Sequence, residues 1–379
     1  MLPLLRQAVV VAPHRVDLKL QLARLLRSAG AFAEIVDLLR PAAADDRAAP
    51  EALLVLGRAA LDVGEKQLAV DALRGAADAG LSSALGYLAQ ALFRLNRPDE
   101  ALDAALRMLA GRPTDFEALQ VIAHVLFQRG EIDRLLRLAA DLRSKGAWGG
   151  WLSAAVASAA VTLGMEDDFR NLYDSSRWFS TGKLAVSGDF NKRLADELLA
   201  LRPSAKTMRI DGLERVGGPA SQELFVKLRQ AVESYVVQRQ DLSDDPVMMH
   251  RPAEALLAGW AILTEDHKHH GWHIHQAGWI SGVYYIEVPE IDHGRDELAG
   301  TIEFGPYPFA QNEEKLRPYR WRVRPEPGLL LLFPSYFAHR TWPTRLPDNR
   351  ICVAFDVRPV GPIGGHEVEK HGNPAQIQA

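Results

Sequence analysis

"HKHHGWHIHQAGWISGVYYIEVPE", residues 267–290, opens with five of the chain's 12 histidines inside nine positions and then turns apolar, aromatic and β-branched. The run from Trp279 reads as a buried strand, because such side chains suit a pleated, covered surface. His273 and His275 stand two apart at the strand entry, so an extended backbone puts both imidazoles on one face. Two nitrogens so placed suit adjacent positions on one metal. A third ligand must come from elsewhere, and the candidate is His339 in "PGLLLLFPSYFAHRTWP", after an apolar run and a Pro-Ser turn. Eleven residues later Arg350 heads another apolar strand, "RICVAFDV". A charge there requires an anionic partner, since an unpaired buried charge is costly. Asp348 would be a structural partner and a ligand carboxylate a functional one. His267, His269 and His270 read as a solvated polar turn, and Trp272 and Trp279 as packing at a barrel mouth or walls of a pocket.

From Trp260 onward short β-type runs alternate with Gly, Pro and Asp turns: "GWAIL", "WISGVYYIEV", "GTIEFG", "YRWRVRP", "GLLLLFP" and "RICVAFDVRP". This spacing implies an all-β sandwich or barrel. Two amphipathic helices are expected before it, at "DFNKRLADELLAL" and "SQELFVKLRQAVESYVVQ". The N-terminal half lacks strand signals and repeats itself. Gly30, Gly64, Asn96, Gly130 and Gly164 are spaced by 34, 32, 34 and 34 residues. Seven positions before each stands a small residue (Ala23, Gly57, Ala89, Ala123, Ala157), preceded by an aliphatic one. This period resembles tetratricopeptide repeats, most closely around "RPDEALDAALRMLAGRP", with Ala101 and Pro113 where that family has Ala and Pro. Each repeat is a helix hairpin that buries its apolar face only by stacking on its neighbours. The expected organisation is multidomain, α and β. It comprises an α-helical repeat solenoid over residues 1–172, a β domain over 184–363 and a flexible tail over 364–379.

Composition narrows the function classes. The 379 residues favour two or three domains, with 47% hydrophobic and 24% charged residues. A net charge of −4 gives no electrostatic reason to expect nucleic acid or an anionic membrane as partner. Cys352 is the single cysteine, so no intrachain disulfide forms, which is compatible with a reducing compartment. No apolar run approaches the roughly 20 residues of a membrane helix, and the N-terminus lacks a signal-peptide pattern. The expectation is a cytoplasmic protein. Ser281 and Ser335 have no convincing base and acid partners, which argues against a hydrolase triad.

The ordered motifs "HIH", "SGVYYI", "FPSYFAH" and "RICVAF" resemble the Fe(II)- and 2-oxoglutarate-dependent dioxygenases, the prolyl-hydroxylase-like group among them, between Trp260 and Arg358. The resemblance implies a double-stranded β-helix, a cupin-like jelly roll, with Fe(II) on His273, His275 and His339. It implies that Arg350 binds the distal carboxylate of the cosubstrate 2-oxoglutarate, helped by Tyr285. Ser281 shares a strand face with Tyr285, and Cys352 shares one with Arg350. The pattern departs from the wider family at His275, where Asp or Glu is usual although the group with these motifs reads His-x-His, and at Cys352, where Ser is usual. Two other readings stand beside it: a three-histidine cupin that uses no 2-oxoglutarate, and an interaction scaffold without catalysis. The repeats point to a protein or peptide substrate docked on them, or to dimerisation or recruitment.

Overall fold

Every marker of the 34-residue period falls at a left-handed backbone position in the computed structural model: Gly30 (φ 71°), Gly64 (83°), Asn96 (59°), Gly130 (69°) and Gly164 (71°). Each ends the first helix of a hairpin where the chain must reverse, and glycine adopts that conformation without a Cβ penalty. Asparagine substitutes once because its short polar side chain tolerates the same region. The structure describes residues 2–44, 48–145, 147, 150–202, 209–240, 246–249, 251–264, 269–309, 313–346, 350–360 and 376–378. His267, Asp348 and most of the expected tail lie outside the described residues.

The chain divides into two compact units, Met1–Gly130 and Glu131–Ala379. The first is helical among its described residues. Hairpins are formed by Val16–Ser28 with Phe32–Leu39, Pro50–Val63 with Lys66–Asp78, and Ala84–Arg94 with Pro98–Gly111. Leu2–Val11 precedes them and Phe116–Gln128 follows. The small residues of the period are the points of closest helix approach. Ala23, Ala89 and Ala123 are buried, and a Cβ added at Gly57 would fall against the Leu73 side chain of the paired helix.

The second unit begins with three more helices, Ile132–Ser144, Gly150–Leu163 and Glu166–Tyr173, which carry the end of the repeat pattern. Their side chains are built into the β core that follows. The Tyr173 hydroxyl donates to the Tyr336 carbonyl (2.7 Å) and accepts from the Ala338 amide (3.0 Å), while its ring stacks on Phe337 at 4.4 Å. The two expected helices appear as Phe190–Leu201 and Pro219–Val237. Glu197 of the first accepts the Gly218, Ala220 and Ser221 amides at the start of the second. It thereby satisfies donors that have no partner within the helix.

The strands are β1 (Ser180–Lys183), β2 (Arg209–Asp211), β3 (Glu254–Thr264), β4 (Ile280–Glu287), β5 (Ile302–Phe304), β6 (Trp321–Val323), β7 (Leu329–Pro334), β8 (His339–Thr341), β9 (Arg350–Pro359) and β10 (Gln376–Gln378). The larger sheet runs β1-β7-β4-β9-β3-β10, with β2 also on β3, and the smaller runs β6-β5-β8. Every pairing is antiparallel. Strand β9 is paired along both edges, to β3 and to β4. The sheets carry every expected strand run. They add β8, because His339 continues past the Pro-Ser turn to pair with β5.

The helix-contact reading of the repeats has a direct check. Ala123→Leu inserts three carbons into a closed contact and should cost about 1–3 kcal/mol. Urea unfolding should show a lower midpoint, whereas Leu at exposed Arg107 should leave it unchanged.

Candidate metal centre and its cavity

His273 and His339 are joined through their backbones. Each amide donates to the other's carbonyl at 3.0 Å, an isolated antiparallel bridge that sets the two side chains beside each other. The His275 amide donates to the Ser335 carbonyl (3.0 Å), which ties the third histidine to the turn between β7 and β8. The outcome is a cluster in which one ring nitrogen from each of His273, His275 and His339 lies within 4.8 Å of the others. Ring centroids are 4.2 Å apart for His273 and His339, 5.1 Å for His275 and His339, and 5.4 Å for His273 and His275.

The other nitrogen of each ring is already engaged. Nδ1 of His273 faces the Gly271 carbonyl (2.8 Å), that of His339 faces the Phe337 carbonyl (2.9 Å), and that of His275 faces Asp356 Oδ1 (2.6 Å). Carbonyls and carboxylates only accept, so Nδ1 carries the proton and donates in each case. Nε2 is left with a free lone pair on all three rings. Metal-bound histidines are usually held this way, with the second nitrogen donating to an outer acceptor. Burial, then the neighbouring His275, pushes His273 down to about 3. Burial, then His273 and His275, holds His339 well below the ordinary histidine range. Three clustered imidazoles, each with its Nδ1 already engaged, fit a divalent transition metal.

A cavity of about 350 Å³ opens on this cluster, lined among others by Trp260, His270, Tyr285, Arg350, Cys352 and Asp356. Arg350 is 3% exposed. Its Nε donates to Thr264 Oγ1 (3.2 Å) and its Nη1 to the Gly300 carbonyl (3.3 Å). No carboxylate among the described residues pairs with it. Tyr285 and Cys352 are register partners across β4 and β9. Burial raises the Tyr285 phenol, and burial lifts the Cys352 thiol to about 11 against the opposing effect of Arg350.

Ser281 lies on the strand face of Val283 and Tyr285 but does not line the cavity. Its hydroxyl is 2.8 Å from Asp356 Oδ1, 2.7 Å from Ser335 Oγ and 3.0 Å from His275 Nδ1. Asp356 is the site residue that sequence reasoning missed. Burial alone would raise its carboxyl, and His275, Arg358 and Ser281 together hold it below the ordinary range. Strand parity was the available signal, because Arg350, Cys352, Ala354 and Asp356 all face the cavity. His270 is half-buried in the cavity wall and outside the three-nitrogen cluster. Trp279 is buried with its Nε1 donating to the Val247 carbonyl (2.8 Å), and Trp272 is flanked by Arg320 and Arg340.

Residues 258–356 match the family described as "Putative 2OG-Fe(II) oxygenase". The C-terminal part of the chain thus carries an oxygenase-like domain of the kind its motifs resemble. Among solved structures, a Pseudomonas putida prolyl-4-hydroxylase is similar at 16% identity, over 54% of this chain and 100% of that one, with a TM-score of 0.35. MamA is similar at 22% identity, over 38% of this chain and 86% of that one (TM-score 0.35). YrrB, a tetratricopeptide protein with an unusual peptide-binding site, is similar at 19% identity, over 45% and 92% (TM-score 0.37). A comparison with curated proteins returns no match. Among the described residues no helix is long and apolar enough to cross a membrane.

The depressed histidines make the metal-free protein acid-sensitive. His273 takes a proton in the unfolded chain near the ordinary histidine value of 6.5 and in the folded chain only near 3. Stability is therefore lost as pH falls through that window, by up to about 1 kcal/mol per pH unit for this residue after allowance for partial solvation. Urea midpoints of chelator-treated protein between about pH 7 and pH 5 should fall, and His273→Gln should flatten the slope.

Proposed function

We propose that the chain is an Fe(II)- and 2-oxoglutarate-dependent dioxygenase that hydroxylates a protein or peptide side chain. The observation that carries this reading is one cavity holding three clustered imidazoles and a buried arginine that no carboxylate among the described residues pairs with. We read the two sheets as a double-stranded β-helix, a jelly roll, spanning residues 184–363. Residues 1–172 are read as the repeat domain, its last helices serving the β core.

In this reading His273, His275 and His339 hold the iron and Arg350 holds the distal carboxylate of 2-oxoglutarate. With 2-oxoglutarate and O2, iron bound there would supply the oxidising power that yields succinate, CO2 and a hydroxylated C–H carbon. The protein's part is placement. Thr264 and the Gly300 carbonyl hold the Arg350 guanidinium in the cavity, and a charge-assisted pair with a carboxylate completes it. Tyr285 and Cys352 wall the space beside it. The buried surroundings exclude water, which strengthens that pair. A three-histidine cupin would account for His275 and would leave Arg350 without a role.

The direct test is anaerobic Fe(II) reconstitution followed by succinate measurement with 2-oxoglutarate and O2. His339→Ala should abolish tight iron binding, and full iron occupancy in that variant would overturn the ligand set. Arg350→Ala should keep iron and raise the 2-oxoglutarate requirement by about 2–5 kcal/mol, as when one partner of a buried charge pair is lost. Unchanged 2-oxoglutarate affinity would favour the cupin.

The docking role of the repeats is tested by a fragment beginning at Glu131. It should retain 2-oxoglutarate turnover and lose efficient turnover of the natural substrate, because remote binding energy is gone. Equal efficiency with the full chain would remove that role.

A further inference from the structure

His275 stands where the wider dioxygenase family has a carboxylate, and His275 alone of the three clustered histidines has a carboxylate behind it. Nδ1 of His273 and of His339 donates to a neutral backbone carbonyl. Nδ1 of His275 donates to Asp356 Oδ1 at 2.6 Å. We propose that Asp356 is the displaced carboxylate of this site. Through His275 it fixes the Nε2 lone pair toward the centre and lends the metal the negative charge that a third imidazole does not bring. The inference rests on the three-histidine metal reading and names a positioning residue within it.

The surroundings of Asp356 look built for this contact. The residue is 4% exposed, on a strand whose other central members are apolar. The Ser281 hydroxyl lies 2.8 Å from the same Oδ1 that His275 uses, and Ser335 lies 2.7 Å behind Ser281. Gly278 leaves the room, since a Cβ there would fall against Ser335 Oγ and come within 3.4 Å of Asp356 Cβ. Service as a counter-ion for Arg358 does not account for the arrangement. That contact is 3.5 Å long, uses the other oxygen, and involves a partly exposed arginine. A carboxylate behind a metal-bound histidine orients the ring and raises its basicity, and its loss commonly costs 10–100-fold in metal affinity.

The test is a two-by-two comparison read by Co(II) titration of the chelator-treated full-length protein, following the ligand-field absorption. Asp356→Asn should weaken Co(II) binding about 10–100-fold and shift the ligand-field bands. His275→Asp restores the family's carboxylate but sets it against Asp356, and two adjacent carboxylates oppose each other's ionisation. In that background Asp356→Asn should therefore strengthen Co(II) binding. The reversal of sign is what a merely structural role cannot produce. Wild-type-like binding by Asp356→Asn, or the same loss in both backgrounds, overturns the proposal. Ser281→Ala provides a milder variant if Asp356→Asn fails to fold. It leaves the carboxylate in place without its serine and should weaken Co(II) several-fold, and unchanged binding again overturns the proposal. If wild-type protein takes up no Co(II), the three-histidine reading itself falls. If wild type binds and Asp356→Asn binds equally, only the role of Asp356 falls.

Discussion

Strand β9 is hydrogen-bonded along both edges and buried from Arg350 to Val357, so every polar side chain on it must find a partner inside the protein. That constraint organises the site. An unpaired buried charge costs several kcal/mol, and within its buried span β9 carries one of each sign on its cavity face, Arg350 and Asp356. Asp356 meets the demand within the chain, through His275 and Ser281. Among the described residues Arg350 meets it with one hydroxyl and one carbonyl, both neutral. Alternate residues of a strand lie about 7 Å apart. The two charges, three such steps apart, thus mark positions about 20 Å from each other along the cavity floor.

Local chemistry decided what could be read in advance. The 34-residue period was legible because each turn needs a residue that tolerates positive φ and each helix contact needs a small one. Both demands are met by residue identity alone. The histidine cluster was legible only from several motifs together, because imidazoles two apart also occur as ordinary strand-end residues and it was His339 and Arg350 that pointed to a metal. Asp356 was hidden because its partner, His275, is 81 residues away in sequence. A carboxylate inside "RICVAFDV" announces burial only to a reader who extends the parity from Arg350 by three steps. Ser281 was placed on the correct face, yet the face alone could not say that Asp356 and His275 would occupy its hydroxyl. Of the smaller sheet, β5 and β6 were legible in "GTIEFG" and "YRWRVRP", whereas the three residues of β8 carry too little alternation to be told from a turn and were recognised only as the setting of His339.

The end of the repeat pattern also has a task that periodicity does not reveal. Gly150 and Trp151 open a helix with the small-residue and apolar grammar of the repeats, yet both meet the histidine segment. A Cβ on Gly150 would come within 3.1 Å of Gln276 Cα, and Trp151 Nε1 donates to Gln276 Oε1 at 2.8 Å. Ser158, two turns further along, donates to the Tyr307 carbonyl at 2.9 Å. Gln276 directly follows His275, so this helix braces the backbone that carries two of the three clustered imidazoles. Metal and catalytic sites need their ligands held to within about half an ångström, which demands support from rigid elements around them. Helix Gly150–Leu163 supplies such support, and it belongs by compactness to the unit of the β sheets. The end of the repeat pattern thus serves as scaffold for the site.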